Sequence, residues 1–228
     1  ALQRTSGPEA GSWGWLQFNN EPWEASDSVY YGAALAALAV GSTSAAYRDQ
    51  PSVQAGLARL RDYLLRTYPA QPLLNRIDLL WAAQNLPGLI PPSMQHAVIE
   101  QLWEGQRTDG GWNTAALMPG WKRRDGTAQA RESDGYATGL ISLVLQQAGV
   151  APQDPRLQRA LGWLRRHQSF WNGGWSAESL NRRRGLRAGT VGHFMDDAAT
   201  AFAVMALTRA AQPAPAALGA RLSAPLRH

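Results

Sequence analysis

The chain contains no cysteine, and this absence excludes several kinds of site. Disulfide bonds, thiolate nucleophiles and cysteine-ligated zinc all need a side chain that the sequence does not have. The sequence also lacks a Gly-x-Ser-x-Gly nucleophile elbow, a glycine-rich phosphate loop and an Asp-Asp-x-x-Asp site for a magnesium-bound diphosphate. Its four histidines are scattered, without the spacing of metal ligands on a helix. We therefore expect no metal ion and no cofactor.

Charged residues and long apolar runs are also scarce. Asp, Glu, Lys and Arg make up 17% of the chain, and the net charge of +5 is too diffuse to indicate a nucleic-acid partner. The longest strongly apolar stretch, residues 29–40, is too short to span a bilayer, so we expect no transmembrane segment. These properties predict a protein that is soluble or peripheral to a membrane.

The residues that are abundant favour helices. Apolar residues make up 45% of the 228-residue chain, with much Ala and Leu and little Val or Ile. The ten tryptophans are a high number for this length, and each is expected to mark a contact between elements. We predict one helical domain over residues 1–211 and a flexible tail over residues 212–228, where prolines recur without a repeat.

Two kinds of helix alternate along the sequence. Residues 51–68, 93–106 and 154–168 each place apolar side chains on one face only. The other kind begins at an acidic residue, predicted to cap it, and is apolar nearly all the way round. These acidic residues are Asp27, Asp78, Asp134 and Asp196. Apolar helices inside and amphipathic helices outside predict an all-α toroid or solenoid of helical hairpins, here a partial ring of about seven helices.

A short motif recurs where the amphipathic helices end. Residues 106–112 read "QRTDGGW", residues 168–175 read "QSFWNGGW", and "GSWGW" at residues 11–15 resembles a third copy without its glutamine. The glycine pair is expected to leave the helix through positive φ. The tryptophan then closes the seam between neighbouring hairpins, and the glutamine amide hydrogen-bonds across that seam.

With these motifs the chain resembles the squalene cyclase and prenyltransferase superfamily, whose repeats carry Gln-x-x-Asp-Gly-Gly-Trp. The resemblance covers roughly residues 11 to 211. It is to bacterial proteins with prenyltransferase/squalene-oxidase repeats, which leaves cytoplasm and periplasm both open. It implies an α6–α6 barrel, of which this chain has a part. It also implies a terpene-cyclase-like protein that binds or cyclises an isoprenoid or another lipid in an apolar central cavity.

The stretch "FMDDAA" at residues 194–199 resembles the Asp-x-Asp-Asp motif of class II terpene cyclases, with Phe194 in place of the first aspartate. The resemblance implies a squalene-hopene-cyclase-like isomerase or lyase in which Asp196 is the acid. Asp197 and Asp134 would be supporting polar groups. Helix capping is the alternative role for these carboxylates. If Asp134 and Asp196 face one cavity mouth, such a pair would also suit glycoside cleavage.

Four aromatic residues of the apolar helices are candidates for the cavity wall: Tyr30, Tyr31, Tyr136 and Phe202. Their rings would stabilise carbocations by cation–π contact, and ordinary core packing is the alternative. Two basic loops follow the recurring motif and are expected to lie on one face, where they would hold a phosphate or another anion. Their residues are Lys122, Arg123, Arg124, Arg182, Arg183 and Arg184. Solvated loop charge is the alternative for them.

A second class of function is a non-catalytic toroid that serves as a binding or assembly module. A partial ring leaves apolar edges uncovered. We therefore expect either a partner subunit or a segment preceding residue 1 to complete the ring.

Overall fold

The computed structural model describes residues 2–25, 28–183 and 193–212. Within these ranges the chain forms α-helices and no β-strand, which confirms the all-α prediction. The helices are α1 Val29–Gly41, α2 Ala45–Arg48, α3 Pro51–Thr67, α4 Leu73–Asn85, α5 Pro92–Glu104, α6 Gly135–Gln147, α7 Pro155–Arg166 and α8 Phe194–Ala211. All except α2 have twelve or more residues, which agrees with the expected number of about seven. Residues 213–228 of the predicted tail, Asp27 and Arg184 lie outside the described residues.

The apolar helices pack against one another in chain order. Helix α1 packs against α4, α4 against α6, and α6 against α8. Helix α6 is buried along almost its whole length, from Gly135 to Leu145. Its approach to α8 is close, because a Cβ atom on Gly139 would lie only 2.7 Å from the backbone nitrogen of Ala203. Glycine is therefore required at this crossing.

The amphipathic helices flank the apolar ones. Helix α3 packs on α1, α5 packs on α4, and α7 packs on both α6 and α8. Each buries a single stripe, which in α3 consists of Leu60, Tyr63 and Leu64. The predicted alternation of buried and one-sided helices is confirmed for α1 and for α3 to α7.

Helix α8 departs from this pattern. Its sequence predicts burial on several sides, but it buries only one stripe, formed by Met195, Ala199, Ala203 and Ala206. On another face, Val204 is 49% exposed and Met205 is 40% exposed. The prediction is wrong for α8 because its main described neighbours, α6 and α7, cover one side of it.

The recurring motif forms the seam that its sequence predicts. The side-chain amide of Gln106 donates to the carbonyl of Gly110 at 3.0 Å and to the carbonyl of Arg156 in α7 at 2.8 Å. The indole N–H of Trp112 donates to the carbonyl of Leu102 in α5 at 2.7 Å. The turn therefore joins the end of one amphipathic helix to the start of the next.

The N-terminal copy of the motif has its glutamine after all, so that part of the sequence analysis is wrong. The side-chain amide of Gln3 donates to the carbonyl of Gly11 and to that of Gly56 in α3, both at 2.9 Å. The Arg59 side chain donates to the Gln3 side-chain oxygen. Arg159 makes the same bond to the glutamine of the second copy. The match is hidden in the sequence because eight positions, instead of four, separate this glutamine from its glycine.

Candidate functional site

Aromatic side chains from four separate segments meet among the apolar helices. Trp23 precedes α1, Trp81 belongs to α4, Tyr136 to α6 and Phe202 to α8. The ring centroids of Trp23 and Tyr136 are 5.8 Å apart, those of Tyr136 and Phe202 are 5.4 Å apart, and those of Phe202 and Trp81 are 5.8 Å apart. All three pairs are edge-to-face, a favoured arrangement of aromatic rings. We call these four residues the aromatic cluster.

Two of the predicted wall residues, Tyr136 and Phe202, thus touch each other. Tyr31 lies beside them against Trp15, at a ring distance of 5.9 Å. Tyr30 lies elsewhere: its hydroxyl donates to the carbonyl of Leu64 at 3.3 Å, so it packs between α1 and α3. The sequence analysis did not select Trp23 and Trp81. Only the placement of Trp81 three positions after an aspartate of the same helix could have indicated it.

That aspartate, Asp78, does not cap a helix, and the prediction that it does is wrong. Helix α4 begins at Leu73, after Pro72, so Asp78 lies in the middle of the helix. Its side chain is almost completely buried, at 4% exposure. Its Oδ2 atom has no hydrogen-bond partner, and no cation pairs with the carboxyl among the described residues.

Burial raises the pKa of Asp78 to about 8, because the charged form loses the solvation that water provides. Most of this carboxyl is therefore protonated at neutral pH. The pKa values of the Tyr31 and Tyr136 phenols are both raised. Burial is the larger cause, and the nearby charge of Asp78 is the second. The result is a neutral acid with neutral phenols beside it, in largely apolar surroundings.

Asp134 has the capping role that was the alternative to catalysis. It is the N-cap of α6, and its Oδ1 accepts from the backbone N–H of Ala137 at 2.9 Å. The hydroxyl and backbone N–H of Thr114 also donate to the carboxylate, at 2.7 Å and 2.6 Å. Burial raises the pKa of Asp134, although these donors favour its charged form. The carboxylate therefore ties the loop after the second turn, residues 106–112, to the start of α6.

Asp196 lies beside the third turn, residues 168–175, as Asp134 lies beside the second. It does not cap its helix, so that prediction is wrong: α8 begins at Phe194 with His193 at the N-cap, which places Asp196 inside the first helical turn. Its Oδ1 accepts from the backbone N–H of Ala177 at 3.0 Å, and its Oδ2 lies 3.4 Å from Nδ1 of His193. Ala177 follows Trp175 by two positions, as Thr114 follows the tryptophan of the second turn. Asp197 is next to it in the first turn of α8. The catalytic role implied for these two carboxylates stays a prediction.

Asp134 and Asp196 share a cavity, as the sequence anticipates. The cavity has a volume of about 420 Å³ and is also lined by Trp163, His167 and Trp175. A neighbouring cavity of about 690 Å³ again includes Asp196 and is lined by Asp197 as well. The paired carboxylates lie at this surface, whereas Asp78 lies among the buried helices.

The two basic loops also lie together, as expected from their equivalent places in the repeat. The backbone N–H of Arg124 donates to the carbonyl of Asn181 at 2.9 Å. The side chain of Arg124 forms an ion pair with Glu21, in a third loop. Lys122, Arg182 and Arg183 are exposed, and an anion site built from them stays a prediction.

Arg123 is the exception among these basic side chains, because it is buried and bonded inside the protein. Its Nε donates to the carbonyl of Ser179 at 2.9 Å, and its Nη1 donates to the carbonyl of Ala128 at 2.6 Å. Its Nη2 lies 2.6 Å from the carboxylate of Glu178. This guanidinium therefore fastens the two loops to each other.

Comparison of the chain with protein families, curated proteins and solved structures gave no significant match. None of the helices in the described ranges is long and apolar enough to cross a membrane. The same part of the chain contains no group of three or more His, Asp or Glu side chains placed to hold a metal ion. The geometry of the aromatic cluster and of Asp78 thus carries the functional argument.

Proposed function

We propose that the protein is a terpene-cyclase-like helical toroid, whole or partial, that binds an isoprenoid or a similar apolar lipid against the aromatic cluster. In this proposal Asp78 donates a proton to the bound ligand. The observation that carries the proposal is the buried carboxyl of Asp78, which is paired with no cation in the described part of the chain. It lies close enough to Tyr136 of the aromatic cluster for its charge to raise the pKa of that phenol.

A buried carboxyl of this kind lowers the stability of the folded protein, since its polar atoms are removed from water and one of them gains no hydrogen bond in return. Strongly perturbed acids of this type are concentrated at functional sites. A pKa of about 8 keeps the proton on Asp78 at neutral pH, which is the state that a proton donor needs.

The surroundings of Asp78 suit a reaction that develops positive charge on carbon. Aromatic faces attract cations through the ring quadrupole, and Trp gives the strongest attraction. Trp81 and Phe202 are only partly buried, so the aromatic cluster has accessible surface on these two rings. Tyr31 and Tyr136 keep their phenolic protons at neutral pH. The site therefore has aromatic surface, neutral donors and one acid.

The toroid part of the proposal is supported by the repeat itself. Apolar helices pack in chain order with amphipathic helices beside them. Two copies of the turn bridge to an amphipathic helix through the same glutamine bonds, made by Gln3 and Gln106. Repeated hairpins with equivalent seams are the building units of solenoids and rings.

A second candidate function, an assembly module, is favoured by one observation. Helix α8 exposes Val204 and Met205, although its sequence is apolar enough to be covered on several sides. A partner chain or a further segment that packs on this face would complete the layer of apolar helices.

The test is a binding and turnover assay with squalene, an acyclic isoprenoid, and Asp78→Asn as the decisive variant. We expect the wild type to bind squalene and to form cyclised product. Asp78→Asn should keep the binding and lower turnover by about a hundredfold or more, because it removes the proton donor. Product formation is measured by mass spectrometry after extraction.

Asp196→Asn is the matched control, since it makes the same chemical change at the carboxyl implied by the sequence motif. Loss of turnover in Asp196→Asn with normal turnover in Asp78→Asn would assign the acid to α8 instead of α4. A wild type that binds no isoprenoid, and that purifies with a partner chain on α8, would replace this proposal with the assembly module.

A further inference from the structure

The third turn, residues 168–175, carries two large apolar side chains that face solvent. Phe170 is 92% exposed and Trp171 is 91% exposed. Their ring centroids are 5.7 Å apart, so the two side chains form one apolar projection. Exposed aromatic surface of this size is unfavourable in water and typically marks a contact site.

The turn itself does not need these rings. The Gln168 side chain donates to the carbonyl of Gly173 at 2.8 Å, the bond that Gln106 makes inside the second turn. The backbone N–H of Ser169 likewise donates to the carbonyl of Gly174 at 2.8 Å. The second turn closes with the same bonds although its tip reads Thr-Asp at residues 108–109. The aromatic pair is therefore an addition to a turn that forms without it.

Positive charge precedes this projection by a few residues along the chain. Helix α7 leads into the turn and ends in two exposed arginines, Arg165 and Arg166. Helix α5 occupies the same place before the second turn, but it exposes Glu100 and Glu104 near its end. The basic helix and the aromatic tip thus occur together in one repeat and not in the other. We call Arg165, Arg166, Phe170 and Trp171 the basic-aromatic surface.

We infer that the basic-aromatic surface docks the protein on a lipid bilayer that contains anionic headgroups. Aromatic rings with an apolar body, Trp above all, favour the boundary between lipid and water. Guanidinium groups bind phosphate oxygens with well-matched geometry, and anionic leaflets attract basic residues near the surface. Burial of the aromatic rings and attraction of the arginines together give reversible peripheral binding.

The arginines alone would fit either an anionic bilayer or an acidic protein, and the two exposed rings decide between these partners. An acidic protein surface would match the arginines, but it does not account for two rings that project almost completely into solvent. A bilayer accounts for both groups at once, since headgroups and apolar chains lie a few ångströms apart. The surface shares no residue with the aromatic cluster, so this inference stands without the proposed function.

The test is co-sedimentation of the full chain with vesicles of phosphatidylcholine alone and with vesicles that also contain phosphatidylglycerol. We expect the wild type to partition onto the phosphatidylglycerol vesicles. Removing both rings in Phe170→Ser/Trp171→Ser should weaken this partitioning by about tenfold or more, since each ring supplies apolar burial. Arg165→Gln/Arg166→Gln should weaken binding severalfold, and only to the anionic vesicles.

The control is Phe18→Ser, which removes another exposed ring, at 68% exposure, outside this surface. It should bind vesicles as the wild type does. A shift of tryptophan emission on vesicle binding should be lost in Trp171→Phe while binding is kept. The inference is overturned if the wild type ignores both vesicle types, or if the double serine variant binds as tightly as the wild type. Binding only to an acidic protein would overturn it as well.

Discussion

At the scale of single residues, Asp78 makes the stability of the protein depend on pH. In the unfolded chain its carboxyl ionises near the ordinary pKa of 3.8, and in the folded protein near 8. Between these values the folded protein binds more protons than the unfolded chain. Binding of this proton therefore favours the folded state. The contribution to the free energy of unfolding is fully present below about pH 4 and is lost as the pH rises through about 8.

We predict that Asp78→Asn gains stability relative to the wild type as the pH rises from 4 to 8. The relative gain should be on the order of a few kcal/mol, because the variant has no carboxyl to ionise in the buried site. Urea unfolding of both proteins over this pH range measures the difference. Parallel stability curves for the two proteins would show that Asp78 ionises normally in the folded state.

The sequence indicated the capping role of Asp134 but not the buried position of Asp78, and one physical reason explains the difference. Both aspartates stand near apolar helices, and the pattern treats them as equivalent helix caps. The cap at Asp134 depends on local backbone donors, which the sequence indicates. The burial of Asp78 depends on α4 beginning five positions earlier and on neighbouring helices, whose Tyr31 and Tyr136 lie near it. A local pattern does not contain that information.

At the scale of the elements, the turns differ in how closely they approach the next helix. Gly110 has φ of +97°, and a Cβ atom there would lie 2.8 Å from the backbone oxygen of Arg159 in α7. Gly173 has φ of +70°, but the nearest atom to an added Cβ is the Gln168 side-chain nitrogen at 3.8 Å. Gly110 is therefore required both by its positive φ and by the close approach of α7, whereas Gly173 is required by its positive φ alone.

We predict that Gly110→Ala lowers the free energy of unfolding by about 3 kcal/mol, because it combines backbone strain with a clash against α7. Gly173→Ala makes the same change without the clash and should cost about 1 to 2 kcal/mol. Chemical denaturation of the two variants measures both values. Equal losses would mean that the close approach of the second turn to α7 contributes nothing.

The pattern of helices could be predicted from the sequence because the spacing of apolar residues along each helix reflects which of its faces are buried. It identified one-sided helices such as α3 and buried ones such as α6. It failed for α8, whose apolar side chains have described neighbours on one side only. Periodicity shows what a helix can bury, whereas burial also requires something to pack against.

At the scale of the whole molecule, three loops distant in sequence are joined through buried and charged contacts. Arg123 binds Glu178 and two backbone carbonyls, and Arg124 pairs with Glu21. The sequence predicted that the two basic loops share a face, since they hold equivalent places in the repeat. The internal partners of Arg123 could not be predicted, because carbonyl groups carry no signature in the sequence.

We predict that Arg123→Ala destabilises the protein by about 3 kcal/mol, since it leaves Glu178 without its cation and two carbonyls without donors. Lys122→Ala removes a neighbouring exposed charge and should change stability by less than about 0.5 kcal/mol. Thermal unfolding compares the two variants, and limited proteolysis reports whether the loops separate. Equal stability of Arg123→Ala and the wild type would contradict this role for the buried guanidinium.

The turns also bear on how such a protein acquires new properties. Gly11 follows Gln3 by eight positions, Gly110 follows Gln106 by four, and Gly173 follows Gln168 by five, yet each glutamine reaches its glycine carbonyl. The bonds that hold the turn depend on its two ends, so the tip accepts insertions of different length and chemistry. Each turn is thus a site where evolution or a designer can insert residues while the helices beneath stay in place.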